Sequence, residues 1–213
     1  MKNQLFLLFF LFSITFTISQ EKKKAVLKPY KIGFLYNYGT NENFVNDDVD
    51  YTYSTQTYKG QLFYKLGTWK NWDFELIAQP QVQVLKHQLI NEWYVTPDQE
   101  NYQEKIAEFI QPKTMHLYGI EFGLAGVKKI FQKVYFQGSL SLGFSVIDTR
   151  TERLAKGFTF IENLSLGILY KTTSKSQFYL GTNFGHVSNL DFQKPNDGYN
   201  ILGLEIGYNY ILN

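Results

Sequence analysis

Apolar and polar residues alternate with a period of two over long stretches of this chain, most clearly in 132–146. One set of alternate positions there is apolar or glycine: Val134, Phe136, Gly138, Leu140, Leu142, Phe144 and Val146. The other set is mostly small or polar: Lys133, Tyr135, Gln137, Ser139, Ser141, Gly143 and Ser145. A period of two predicts a β-strand. Small polar residues opposite the apolar face indicate the narrow polar interior of a membrane barrel rather than the solvent side of a sandwich.

The same alternation predicts the other strands. They are the segments 31–38, 59–67, 73–84, 114–124, 157–170, 176–188 and 199–211. Pro80 predicts a bulge in the third strand, since proline cannot donate to a ladder. The total of about eight strands is the smallest number that gives a barrel whose interior side chains can fill. We expect Phe136, Leu140, Leu142, Phe144, Leu164, Leu166 and Leu202 to face outward, and Gln137, Ser139, Ser141 and Glu121 to face inward.

The connections between these strands alternate in length. Those near 68–72, 127–131 and 171–175 are tight, whereas those near 39–58, 86–112, 148–156 and 189–198 are longer. Outer-membrane barrels have short periplasmic turns and longer external loops, so the long connections should face outward. Thr96 followed by Pro97 predicts a capped short helix from Asp98 to Ile110. The fold class predicted is therefore all-β, an eight-stranded antiparallel outer-membrane β-barrel.

The amino terminus predicts export from the cytoplasm. Residues 1–4 are a short positively charged start, residues 5–12 are an unbroken apolar run, and small residues follow at 17–19. This order is typical of a secretory signal peptide, and the run is shorter than the roughly 20 residues of a spanning helix. We expect 1–19 to be a signal peptide that is removed, and 20–213 to form the barrel in the bacterial outer membrane.

The composition narrows the function classes. Aromatic residues make up 18% of the chain although its mean hydropathy is −0.25, which suits a barrel with one lipid-facing and one polar face. A soluble β-sandwich remains an alternative on composition alone. The chain has no cysteine and a net charge of +2, which argues against thiolate metal sites and nucleic-acid binding. His87 and His116 have no partners at metal-ligand spacing, so we expect no metal or other cofactor.

The last predicted hairpin carries candidate chemistry. His186 and Ser188 share the lipid-facing side of their strand with the apolar residues Phe178, Leu180 and Phe184. Polar residues that face hydrocarbon are rare and often functional. A serine nucleophile needs a neighbouring base, and the base needs a third group that orients it. Asn200 begins the next strand on the same face and is a candidate for that third group. An equally open interpretation is that all three are ordinary interface or turn residues.

The stretch His186-Val187-Ser188-Asn189, followed by Lys194-Pro195-Asn196-Asp197-Gly198, resembles the signature of the outer-membrane lipid A 3-O-deacylases, also called acyloxyacyl hydrolases. The resemblance is strong over 183–210 and only architectural elsewhere. It implies an eight-stranded barrel that acts as a serine esterase on an ester-linked acyl chain of lipid A, the lipopolysaccharide anchor in the outer leaflet. It also implies Ser188 as the nucleophile and His186 as the base. The residues implied to shape the loop and the oxyanion site are Asn189, Asn196 and Gly198.

The third catalytic position departs from this family, which has a glutamate where this chain has Asn200. Outer-membrane phospholipase A, a larger barrel, resembles this chain in its own His-x-Ser-Asn stretch and uses an asparagine as third member. Glu162 is a second candidate, because pairing across the turn near 173 brings it roughly opposite Phe184 or His186. Glu205 alternates with outward-facing residues and is excluded because it should point inward.

Two arginines bear on the substrate. Arg150 and Arg153, the only arginines of the chain, both lie in the predicted external loop 148–156. Arginine binds phosphate in a bidentate manner, so lipid A phosphates are one expected contact and a solvated loop is the alternative. Three functions remain open: a lipid A deacylase, a phospholipase of the same chemistry, and a non-catalytic barrel that acts as an anchor or adhesin. The number of strands favours the deacylase.

Overall fold

A computed structural model describes residues 28–41 and 48–212, and these residues form one closed antiparallel sheet. Its strands are β1 (Lys31–Thr40), β2 (Tyr51–Trp69), β3 (Trp72–Leu89), β4 (Lys113–Lys129), β5 (Val134–Ile147), β6 (Gly157–Lys171), β7 (Ser176–Ser188) and β8 (Tyr199–Ile211). Each strand pairs with its sequence neighbours, and β1 pairs with β8 to close the ring. The predicted eight-stranded barrel is confirmed. The predicted signal peptide, 1–19, lies outside the described residues.

The two faces of the barrel wall have the predicted character. Leu140, Leu142 and Phe144 are 64%, 66% and 53% exposed on the outside, and Ser141, between the first two, is buried inside. Short turns join the strands at one end, and the described residues of the longer connections lie at the other. The alternation in the sequence therefore identified both the faces and the two ends of the barrel.

Paired polar side chains fill much of the interior, together with small clusters of buried apolar residues. Lys59 donates from Nζ to Glu121 Oε1 at 2.9 Å, and Lys31 bonds both carboxylate oxygens of Glu75 at 2.8 and 2.9 Å. Glu205 also points inward, as expected, and accepts a hydrogen bond from Tyr179 Oη at 3.1 Å. Buried charges are tolerated when they are paired and hydrogen-bonded. Most of the charged side chains inside the barrel are therefore engaged with one another.

The long-loop end is closed by a hydrophobic cluster rather than by an open mouth. The cluster joins strand ends to loop residues, among them Tyr51, Leu89, Val95, Phe109, Leu117, Leu154, Val187 and Tyr199. Neither the 3-10 turn Glu92–Tyr94 nor the α-helix α1 (Tyr102–Phe109) in the described ranges is long and apolar enough to cross a membrane. The packing of these loops fixes the neighbourhood of the carboxyl-terminal end of β7.

The helix prediction was right in kind but wrong in its start. The helix begins at Tyr102 after Asn101, which makes no side-chain capping bond, rather than at Asp98 after a Thr96 cap. The reason is local, since the N–H of Gln99 donates to the carbonyl of Thr96 at 3.0 Å and closes a turn there. The chain therefore changes direction once more before it becomes helical.

Two strand predictions also need correction. β2 begins at Tyr51 rather than at 59. The prediction missed 51–58 because this segment contains mostly Tyr, Thr and Ser and lacks the large aliphatic residues that mark an apolar face. Pro80 causes no bulge, since the β2–β3 register is the same on both sides of it. The register shift instead lies between Lys65 and Gly67, where Gly67 has a φ of 145°.

Candidate active site

Three polar side chains form a row on the outer wall. The strand register places Glu162 of β6 opposite His186 of β7, and His186 opposite Asn200 of β8. His186 Nδ1 lies 2.8 Å from Asn200 Oδ1. Because the amide oxygen can only accept, Nδ1 is the donor of this hydrogen bond, and Nε2 lies on the other side of the ring. Asn200 is thus placed to fix the orientation of the imidazole ring.

Ser188 is the last residue of β7 and lies on the same face as His186. Val187, between them, is fully buried in the cluster that closes the long-loop end. Ser188 is 8% exposed and stands opposite Phe160 of β6, whose ring packs edge-on against Phe192 of the following loop. Within the described ranges, its hydroxyl makes no hydrogen bond to His186. The structure brings the two residues onto one face and leaves the hydroxyl unengaged.

Gly198 lies against the free edge of the imidazole. Its φ of 68° is in the left-handed region that favours glycine. A Cβ at this position would overlap the carbonyl oxygen of Val187 and would lie 3.1 Å from Cε1 and 3.3 Å from Nε2 of His186. A side chain there would therefore cover the basic nitrogen. The sequence named Gly198 only as a loop residue, and its contact with the ring depends on β7–β8 geometry that no motif reveals.

The loop after Ser188 is shaped by two asparagines. Asn189 is 1% exposed, and its backbone N–H donates to Asn196 Oδ1 at 2.5 Å. Asn189 Nδ2 donates to the carbonyl of Gln193 at 2.9 Å. Asn196 Nδ2 has a longer contact, 3.5 Å, with Asp191 Oδ1. Asn189 is therefore committed to holding the loop together, whereas the amide nitrogen of Asn196 is only weakly engaged.

An apolar groove of about 680 Å³ begins at this row of polar residues. His186 and Glu162 lie at one end, and Leu76 of β3 marks the far side. Its walls are otherwise mostly large apolar side chains of the outer face: Phe122, Leu124, Leu140, Leu142, Leu164 and Phe184. The Glu162 carboxylate is exposed to this groove and has no hydrogen bond to the part of the protein that the structure describes.

Both arginines of the 148–156 loop have carboxylate partners. Arg150 Nη2 lies 2.5 Å from Glu108 Oε2. Arg153 forms an ion pair with Asp48, and its guanidinium lies over the ring of Tyr51 at 5.0 Å. The predicted phosphate contact of these arginines stays a prediction. In residues 28–41 and 48–212, no group of three or more His, Cys, Asp or Glu side chains is arranged to hold a metal ion.

Comparisons with known proteins bear on the family and on the fold. The model of the family described as lipid A 3-O-deacylase (PagL) matches residues 56–209. The crystal structure of the outer membrane enzyme PagL superposes with a TM-score of 0.53 at 11% identity, over 83% of this chain and 97% of that one. Neisserial surface protein A gives a TM-score of 0.44 at 11% identity, over 85% and 95%.

No curated protein matches the sequence. The PagL structure is evidence for the fold, an eight-stranded barrel of the outer-membrane type, whereas the family model is the evidence for family membership. The matched range includes the row of Glu162, His186 and Asn200 together with Ser188. Since 56–209 is more than half of the chain, the protein belongs to the lipid A 3-O-deacylase (PagL) family.

Proposed function

We propose that this protein is a serine esterase of the bacterial outer membrane that hydrolyses an ester-linked acyl chain of lipid A. The observation that carries the proposal is the 2.8 Å contact between His186 Nδ1 and Asn200 Oδ1 beside Ser188 on the lipid-facing wall. Polar groups that face hydrocarbon cost free energy, so they are rare and often mark a functional site. A nucleophile, a base and an orienting group on one face are what acyl transfer requires.

In this mechanism Ser188 Oγ attacks the ester carbonyl while His186 Nε2 takes its proton. Asn200 keeps the ring oriented and its Nδ1 protonated. The tetrahedral intermediate collapses to an acyl-enzyme as the proton passes from His186 to the leaving alkoxide, which departs as an alcohol. Water, activated by the same imidazole, then releases the fatty acid. The Ser188–His186 hydrogen bond forms when substrate binds, as such contacts are often absent without it.

We assign the oxyanion contact to the side-chain amide of Asn196. A donor there is needed because negative charge develops on the carbonyl oxygen in a site of low dielectric constant. The backbone N–H groups of Asn189, Asp197 and Gly198 are all donated within the protein, so they are not free for substrate. Asn196 Nδ2 has only its 3.5 Å contact with Asp191. Of these four donors it is the one that can be redirected with the smallest loss.

The groove supports a lipid as the substrate. An acyl chain lying along its apolar wall would reach the ester site from within the membrane, next to His186. Family membership favours lipid A, and the long loops at the same end of the barrel fit a substrate of the outer leaflet. Asn200 favours a second candidate, a phospholipase, because outer-membrane phospholipase A has an asparagine as third member. The two functions share the site and differ in the headgroup.

The experiment compares acyl release from purified lipid A and from phospholipid by the refolded protein. Ser188→Ala and His186→Ala should each lower deacylation of lipid A by a factor on the order of 10⁴ or more, and the double variant should be scarcely slower. Ser174→Ala, at the short-turn end, is the matched control and should behave as wild type. Faster release from phospholipid than from lipid A would favour the phospholipase. Release by Ser188→Ala at the wild-type rate would exclude the esterase mechanism.

A further inference from the structure

Two external loops are joined by backbone hydrogen bonds beside the row formed by Glu162, His186 and Asn200. The carbonyl of Arg153, in the β5–β6 loop, accepts the N–H of Asp197 at 2.8 Å and that of Gly198 at 3.2 Å. The N–H of Ala155 donates to the carbonyl of Pro195 at 3.0 Å. These bonds connect the β5–β6 loop to the loop that carries Gly198. The place of Gly198 against the imidazole therefore depends on where the Arg153 carbonyl is held.

The side chain of Arg153 contacts three residues, namely Asp48, Tyr51 and Tyr94. Both of its terminal nitrogens bond Asp48, and Nη2 lies 3.2 Å from Oδ1. The guanidinium lies over the rings of Tyr51 at 5.0 Å and Tyr94 at 4.8 Å. The Tyr94 hydroxyl in turn donates to Asp197 Oδ2 at 3.0 Å. A bidentate ion pair that is also stacked on aromatic rings fixes an arginine better than a single contact would.

The backbone of Arg153 is fixed as well. Thr151 Oγ1 accepts the N–H of Arg153 at 3.1 Å and that of Leu154 at 2.9 Å. Leu154 is fully buried in the cluster that closes the long-loop end. Side chain and backbone together make Arg153 a rigid support for Gly198. A guanidinium engaged in this way has few donors left for a substrate phosphate.

We propose that Arg153 is a positioning residue. Its ion pair with Asp48 and its contacts with the rings of Tyr51 and Tyr94, together called the clasp, fix the position of the Arg153 carbonyl. That carbonyl in turn keeps Gly198 against the free edge of the His186 imidazole. Arg153 touches neither the substrate nor the reacting atoms and acts through Gly198. The inference rests on the proposed function, and it replaces the phosphate contact that the sequence alone suggested for this arginine.

The charges around the clasp agree with this role. Burial opposes ionisation of Asp48, but the hydrogen bonds and charge of Arg153 outweigh it and hold the pKa of Asp48 below its ordinary value. Asp48 is therefore ionised at neutral pH, and the ion pair is complete. Asp48 and Arg153 are 105 residues apart in the sequence, so the clasp joins the β1–β2 loop to the β5–β6 loop.

The test measures how fast a fluorophosphonate probe labels Ser188, together with kcat and KM on lipid A, per folded molecule. Folded protein is quantified by its shifted migration in unheated gels. The probe has no lipid A headgroup, so its rate reports the catalytic geometry and not phosphate binding. Arg153→Lys and Asp48→Asn should each slow labelling and lower kcat about tenfold with KM unchanged, because small displacements of catalytic groups are costly.

The double variant should be no slower than either single one, because both remove the same clasp. Lys156→Ala, which removes an exposed positive charge from the same loop, is the matched control and should label as wild type. A raised KM with unchanged kcat and labelling in Arg153→Lys would instead establish a phosphate contact and overturn the proposal. Wild-type labelling in Asp48→Asn would overturn it too. If Arg153→Ala does not fold, Arg153→Lys and Asp48→Asn still test the positioning role.

The two proposals fail in different ways. If wild-type protein neither deacylates lipid A nor reacts with the probe at Ser188, the proposed function is wrong, and the role of Arg153 in it falls as well. If labelling and deacylation both require Ser188 but neither responds to Asp48→Asn, the positioning role alone is wrong.

Discussion

Two polar clusters lie on opposite faces of the same wall, and they are built differently. Inside the barrel, Glu121 uses both carboxylate oxygens: Oε1 accepts from Lys59 and Asn163 at 2.9 Å each, and Oε2 accepts from Ser141 at 2.6 Å. On the outside, the side chains of Glu162, His186 and Asn200 make, among the described residues, a single hydrogen bond, from His186 to Asn200.

The difference separates a structural cluster from one that could serve a function. Groups that satisfy each other completely stabilise the fold and have nothing left for a substrate. The Ser188 hydroxyl and the Glu162 carboxylate, by contrast, make no hydrogen bond within the described ranges although they lie on the membrane side. Incomplete pairing on the lipid face, and not polarity alone, distinguishes the candidate site.

The largest effect on stability should come from breaking the interior cluster. Glu121→Gln leaves the Lys59 ammonium buried without its counter-ion, and it should lower the free energy of unfolding by about 3–5 kcal/mol. The measurement is denaturant unfolding in vesicles, followed by tryptophan fluorescence. Deacylation per folded molecule should stay at the wild-type rate. Adding Lys59→Met should recover stability, and lost activity with unchanged stability would contradict the structural role.

The second prediction is the converse of the first, because it lowers activity and not stability. Gly198→Ala should lower kcat by a factor on the order of 10², because the new Cβ displaces the loop or the imidazole. Gly157→Ala is the matched control, since Gly157 also has a positive φ, 122°, but a Cβ there would meet only Gln193 at 3.6 Å. The Gly157→Ala variant bears at least as much backbone strain, because a φ of 122° lies further from the conformations open to L-residues than a φ of 68° does. An equal loss of activity in the two variants would therefore show that strain alone is responsible.

The sequence predicted the architecture well because alternation is a local property. The faces of β5 follow from 132–146 alone, and the same-face placement of His186 and Ser188 follows from their spacing of two. The neighbourhood of Glu162 and His186 was also accessible, since the short turn between β6 and β7 limits their register.

Long-range contacts were not accessible to the same reasoning. The Asp48–Arg153 pair links loops that only barrel closure brings together, and the contact of Gly198 with the imidazole depends on a backbone angle. The start of α1 was missed because Thr96-Pro97 resembles a helix cap but forms a turn. These features require the relative positions of several loops, which no local pattern contains.

A smaller effect should identify the third member of the site. Asn200→Ala removes the hydrogen bond that orients the imidazole and should lower kcat about tenfold, the equivalent of one such bond. Glu162→Gln should change kcat less than twofold, roughly within measurement error, because Glu162, although it is the cross-strand neighbour of His186, makes no hydrogen bond to it in the described residues. Kinetics on lipid A micelles measure both. The reverse order of effects would transfer the orienting role to Glu162.

The smallest effect is a pH dependence of the clasp. Because the pKa of Asp48 in the folded protein lies below its unfolded value of about 3.9, the clasp is complete at neutral pH and is lost as the pH falls through the folded pKa. The ratio of labelling rates of wild type and Asp48→Asn should be constant between about pH 5 and 8, and it should approach one at lower pH. A ratio that already falls near pH 6 would implicate another group.

The central claim, that this barrel removes an acyl chain from lipid A through Ser188, is tested most directly in cells. Lipid A is extracted from a heterologous Gram-negative host that produces either the wild-type protein or Ser188→Ala at equal outer-membrane levels, and it is analysed by mass spectrometry. The wild-type protein should lower the mass of lipid A by one acyl chain, and the variant should leave it intact. Identical lipid A from both strains, shortened or not, would contradict the account.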